Sequence, residues 1–92
     1  MADNLHEECG VFGVYDNGDG LDVSRLTYYG LYALQHRGQE SCGIAVNNRS
    51  DDGNIQIIQY KDMGLVQEVF NELVLKELNG FAAVGHVRYT TA

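Results

Sequence analysis

The residue types able to do chemistry here are few: two cysteines, three histidines and six Lys+Arg in 92 residues. Cys9 opens the run Cys-Gly-Val-Phe-Gly-Val-Tyr directly after the acidic octapeptide MADNLHEE. A free cysteine is most often a small hydrophobe in a buried strand. To act as a nucleophile it needs a base, because a thiol of pKa about 8.5 is only a few per cent ionised at neutral pH. Removal of residues 1–8 would supply one, the α-amino group of Cys9, whose pKa of about 7.7–8.0 suits it to take the thiol proton directly or through one water. Gly10 and Gly13 would then leave room for a substrate, although glycines in a strand equally mark a bulge. Cys42 precedes a buried-type run and reads as packing.

His36 and Arg37 come next, and two readings stay open for them. They could be cations at a helix C-terminus, or part of a QHRGQES turn that shapes a site beside Cys9, with Gly38 letting the backbone pass closely. His86 and Arg88 are two apart on a strand and so share a face. One His is not a metal site, and a planar guanidinium at the polar end of an apolar strand suits the gripping of a carboxylate, such as an amino-acid substrate carries. Tyr89, Thr90 and Thr91 add hydroxyls there. Tyr28, Tyr29 and Tyr32 at helical spacing read as core and domain-contact surface.

The elements that must position these residues follow from periodicity and punctuation. A strand is expected from about Gly10 to Tyr15, ended by the turn residues Asp16-Asn17-Gly18-Asp19-Gly20. Asp22 or Ser24 can cap a helix whose apolar face runs through Leu26, Tyr29, Gly30, Ala33 and Leu34 to Arg37, with Gly38 as its stop. Residues 43–48 and 54–60 predict a hairpin turning at Asp51-Asp52-Gly53. Lys61 to Gly64 punctuates before a second helix with Val66, Val69, Phe70, Leu73 and Leu78 on one face and Asn79-Gly80 at its end. Residues 81–89 predict a buried strand. The order β α β β α β implies an α+β fold with helices packed on a mostly antiparallel sheet.

Composition excludes several function classes. The formal net charge is −7, which opposes nucleic acid or an anionic membrane as a partner, since both need clustered cations. No apolar run approaches the roughly 20 residues that cross a bilayer. The N-terminus lacks the cations of a secretory or mitochondrial leader, so a cytoplasmic location is expected. Two cysteines are too few for a disulfide framework or a four-ligand zinc site, and no metal site is expected in the chain.

Three motifs in order carry a resemblance: CGVFG at 9–13, YYGLYALQHRGQESCGIA at 28–45 and GHVRYTTA at 85–92, behind a short acidic leader. Together they resemble the start of the glutamine phosphoribosylpyrophosphate amidotransferases. The resemblance implies an N-terminal nucleophile (Ntn) hydrolase fold, a four-layer αββα sandwich here truncated. Residues 1–8 would be a propeptide and 9–92 the first portion of a class II glutamine amidotransferase domain. Cys9 would attack the glutamine side-chain amide and release ammonia, which in a separate phosphoribosyltransferase domain displaces pyrophosphate from phosphoribosyl pyrophosphate, the first step of purine synthesis. Arg88 matches the arginine that holds the glutamine α-carboxylate, and Arg37, Gly38 and Thr91 are expected as further substrate contacts.

The resemblance also implies magnesium in the other domain, a possible 4Fe-4S cluster on cysteines further downstream, and a homo-oligomeric full-length enzyme. The Asn-Gly pair that stabilises the oxyanion would lie beyond residue 92, so the isolated chain is expected to be inactive; Asn79-Gly80 reads as a helix cap instead. Two alternatives stand beside this reading: a binding or regulatory module without catalysis, and the glutaminase part of another class II enzyme such as glucosamine 6-phosphate synthase, whose corresponding strand reads more like HTRWATHG.

Overall fold

The computed structural model describes residues 9–35 and 39–89, with only the backbone of Cys9. Strand β1 (Cys9–Tyr15) is followed by helix α1 (Val23–Leu34), strands β2 (Gln39–Arg49) and β3 (Ile55–Met63), short helices α2 (Val66–Val69) and α3 (Glu72–Glu77), and strand β4 (Ala82–Tyr89). The sheet runs β1-β4-β2-β3, every neighbouring pair antiparallel. The last strand is therefore inserted between the first and second. Residues alternate across the sheet, and one face carries the core of Cys42, Ile44, Val46, Ala83 and Val87 beneath the helices. The fold is α+β as expected, and the described residues form one helical layer and one sheet layer of the four that the resemblance implies.

The turns use the chemistry their residues offer. Asp16 accepts hydrogen bonds from the amides of Asp19 (2.9 Å) and Gly20 (3.2 Å), and Asp52 accepts from the Asn54 amide at 3.1 Å in the β2–β3 turn. Asp22, not Ser24, caps α1 by accepting from the Arg25 amide at 3.3 Å. Ser24 is buried, and its hydroxyl donates to the Leu75 carbonyl at 3.2 Å, tying α1 to α3. A bidentate ion pair joins the same two helices on the outside, Arg25 to Glu72 at 2.7 Å for both contacts.

Two glycines set how closely layers approach. A Cβ on Gly85 would stand 2.7 Å from Thr27 Cγ2 and 2.8 Å from Leu31 Cδ1, so its absence lets α1 lie directly on β4. A Cβ on Gly80 would fall 2.1 Å from the Asn47 carbonyl oxygen, the same oxygen that accepts from Phe81 N at 2.9 Å. Gly80 thus serves close packing on β2, and α3 ends earlier, with Leu78 as its C-cap.

Several expectations are corrected. Helix α1 stops at Leu34, before His36 and Arg37: Gln35 is extended, and its side chain is committed elsewhere, accepting from Val66 N at 2.8 Å and donating to Gln67 at 3.0 Å. The second helix is two helices, because Phe70 is extended and Asn71 starts a new cap by accepting from Val74 N at 3.0 Å. Leu73 accordingly points outward, 75% exposed. Strand β3 continues through Lys61–Met63, which had read as punctuation. Tyr29 and Tyr32 are exposed, and only Tyr28 of that cluster packs against the core. No helix among the described residues is long and apolar enough to cross a membrane.

Candidate active site

The β1–β4 ladder sets the first relation of the site. Its register makes Cys9 the partner of Arg88, Val11 of His86 and Gly13 of Val84. On its other side β4 pairs Arg88 with Ser41 and His86 with Gly43. Directly paired residues have Cα atoms about 4.5–5.5 Å apart, so Cys9, Arg88 and Ser41 form one row across three strands, continued by Met63 on β3. Residues widely separated along the sequence are thereby placed side by side.

Arg88 and His86 both lie exposed, as their two-residue spacing predicts. Among the described residues no hydrogen bond or ion pair engages the Arg88 guanidinium. That leaves its planar fork of donors available to an anion. A shallow cavity of about 350 Å³ opens beside it, bordered by Ser41, Lys61, Asp62, Met63 and His86. Two other hollows of similar size, one between the start of α1 and the end of α3 and one between β3 and α3, are not lined by Arg88.

The neighbouring groups are structural. The Tyr89 hydroxyl donates to the Leu34 carbonyl at 2.5 Å, fastening the end of β4 to the end of α1. Gly10 lies against the helical layer: a Cβ there would stand 3.2 Å from both Leu34 and Val87, so its smallness serves packing and not substrate access. Cys42 is fully buried, and desolvation pushes its thiol up to about 11. It is inert packing, as its position in the sequence suggested.

Arg37, Gly38, Thr90 and Thr91, together with the proposed leader 1–8, lie outside the described residues. Sequence reasoning overlooked Gln35, Gln39 and Gly64. The signal available was a glutamine on each side of His36-Arg37-Gly38; each reaches the 64–67 segment, Gln35 as above and Gln39 by donating to the Gly64 carbonyl at 2.5 Å. Among the described residues no group of three or more His, Cys, Asp or Glu side chains could hold a metal ion.

No protein-family model matches the chain. Amidophosphoribosyltransferases of Mycobacterium bovis and Mycobacterium tuberculosis are each 56% identical to it over 85 residues, covering 92% of this chain and 15% of theirs. The chain is akin to the amidophosphoribosyltransferases. The amidophosphoribosyltransferase of Synechococcus elongatus is 52% identical over 89 residues, 97% of this chain and 17% of its own. A solved structure described as the allosteric regulatory enzyme of purine biosynthesis superposes with a TM-score of 0.71 at 40% identity, over 88% of this chain and 16% of that one. The glutamine phosphoribosylpyrophosphate amidotransferase of B. subtilis, complexed with ADP and GMP, superposes with a TM-score of 0.64 at 37% identity, over 91% and 16%. The chain thus spans about a sixth of the amidophosphoribosyltransferases it matches.

Proposed function

We propose that this chain is the opening part of the glutaminase domain of an amidophosphoribosyltransferase, with Cys9 as nucleophile and Arg88 as the grip on the glutamine α-carboxylate. The observation that carries the reading is the pairing of Cys9 with Arg88 across the β1–β4 ladder, with the guanidinium unengaged among the described residues. A nucleophile and a carboxylate fork on adjacent strands can hold the two ends of one small amino acid.

In the proposed reaction residues 1–8 are removed, and the freed α-amino group of Cys9 takes the thiol proton. The thiolate attacks the side-chain carbonyl carbon of glutamine. The C–N bond then breaks, ammonia leaves with the proton returned by the α-ammonium group, and water hydrolyses the resulting glutamyl thioester. The oxyanion formed in that attack needs hydrogen-bond donors, and one such donor is typically worth about 10²- to 10³-fold in rate. Ammonia would pass to a phosphoribosyltransferase domain and displace pyrophosphate from phosphoribosyl pyrophosphate, using magnesium there. The setting proposed is a cytoplasmic homo-oligomer without nucleic-acid or membrane partners, in keeping with a net charge of −7.

The test is labelling of the full-length protein with the glutamine analogue 6-diazo-5-oxonorleucine, followed by intact-mass and peptide mapping. One adduct on a chain that starts at Cys9 is expected. An adduct elsewhere, or efficient labelling while residues 1–8 are still attached, overturns the mechanism.

A further inference from the structure

The ladder between β2 and β4 is irregular at one point, beside Arg88. Gln39 pairs with Tyr89 and Ser41 pairs with Arg88, so β2 spends two steps where β4 spends one, and Glu40 is the extra residue of a bulge. In an unbroken strand residues 39 and 41 would share a face. The bulge separates them: Gln39 is only 9% exposed, on the side of Tyr89, while Ser41 borders the cavity beside Arg88.

A buried glutamine must have its amide satisfied, and this one spends it on the bulge. Its Nε2 donates to the Ser41 carbonyl at 3.2 Å and to the Gly64 carbonyl at 2.5 Å. Gly64 N in turn donates to the Glu40 carbonyl at 2.8 Å. Both links depend on the turn at Gly64, whose φ of +124° favours glycine. The Gln39 Oε1 is buried without a partner among the described residues. The amide nitrogen of Gln39 thus ties the backbone on the two sides of the bulge together.

We infer that Gln39 is a positioning residue for glutamine binding: through the Glu40 bulge it locks Ser41, the direct cross-strand partner of Arg88, and thereby fixes the backbone from which the Arg88 side chain projects. This rests on the proposed role of Arg88. The chain of contacts runs from the Gly64 turn through the Gln39 amide and Ser41 to Arg88, and it touches no reacting atom.

The experiment compares wild type, Gln39→Met and Gly64→Ala in the full-length enzyme, measuring KM and kcat for glutamine and, separately, synthesis from added ammonia. Methionine keeps the length and apolar bulk of the side chain but cannot donate, and Gly64→Ala disturbs the same clamp from its other end. Each variant is expected to raise KM for glutamine about tenfold, with kcat and the ammonia-dependent rate within about twofold of wild type; the double variant should be no worse than the more affected single one. An unchanged KM in either variant that retains ammonia-dependent synthesis overturns the inference. Loss of ammonia-dependent synthesis in both also overturns it, because the amide would then be supporting the whole fold. Failure of the wild type to use glutamine at all sinks the proposed function instead, so the two failures are told apart.

Discussion

Cys9 and Arg88 are direct cross-strand partners, one at the first position of β1 and the other near the last of β4. The spacing between the proposed nucleophile and the proposed carboxylate clamp is thus set by a backbone ladder, which holds register more firmly than a loop would.

Arg88 is the residue on which that geometry can be tested most simply. Arg88→Lys keeps the charge and loses the planar fork, whereas Arg88→Gln loses both. Hydrogen bonds to charged groups contribute about 1.5–3 kcal/mol, so Arg88→Gln should raise KM for glutamine by about 10- to 100-fold, with Arg88→Lys in between. Steady-state kinetics on the full-length enzyme checks this; an equal KM for all three proteins would remove Arg88 from the site.

The two cysteines should differ sharply towards alkylating agents. With its thiol pushed up to about 11 by burial, Cys42 is ionised at pH 7.5 to less than about 0.1%. Iodoacetamide titration of the native protein followed by peptide mapping should modify Cys9 first and leave Cys42 untouched until unfolding. Modification of both at similar rates would contradict the buried placement of Cys42.

Acid should weaken the α1–α3 junction. The hydrogen bonds from Arg25 are the main cause that holds the Glu72 carboxyl below its usual range. A carboxyl with a lowered folded pKa stabilises the fold fully above its unfolded value of about 4.3, and that stability is lost as pH falls through the lower folded value. The pair is exposed, so the effect is small and screened by salt. Thermal unfolding between pH 6 and 3 should show a fall that Glu72→Gln reduces at low ionic strength. An identical pH profile for the variant would show the pair to be without consequence.

Gly80 should tolerate no side chain. Alanine would press its Cβ on the Asn47 carbonyl and disturb the hydrogen bond that starts β4; overpacking of this kind costs about 1–3 kcal/mol. Gly13→Ala is the control, because its Cβ would make only ordinary contacts at 3.6–3.8 Å. Chemical denaturation of both variants decides it, and equal stabilities would refute the close approach.

What the sequence made legible was local. Turn residues, the Asp22 cap, the hairpin and the shared face of His86 and Arg88 all depend on neighbours in the chain, and each is found as expected. The end of α1 is not legible in the sequence because Gly38 and two cations imitate a helix stop, whereas the true end is set by partners on other elements, Val66 for Gln35 and Tyr89 for the Leu34 carbonyl. The break at Phe70–Asn71 was hidden by continuous helical spacing, although Asn71 is itself a capping residue. The register that pairs Cys9 with Arg88 was not legible, because it depends on strands at opposite ends of the chain. The Glu40 bulge gave no local sign, since it answers to a ladder formed with a strand more than 40 residues later.

The sheet order β1-β4-β2-β3 also governs when the site can come into being. During synthesis β1 emerges first and finds no partner; the β2–β3 hairpin can zip by itself, leaving the future seat of β4 as two unpaired edges. Both ladders of β4 are long-range, so they can form only once β4 has been made, and they bring residues 9 and 88 together. Folding slows as the mean sequence separation of the contacts to be made increases. The row of residues 9, 88 and 41 is thus absent from every nascent chain that has not yet reached β4.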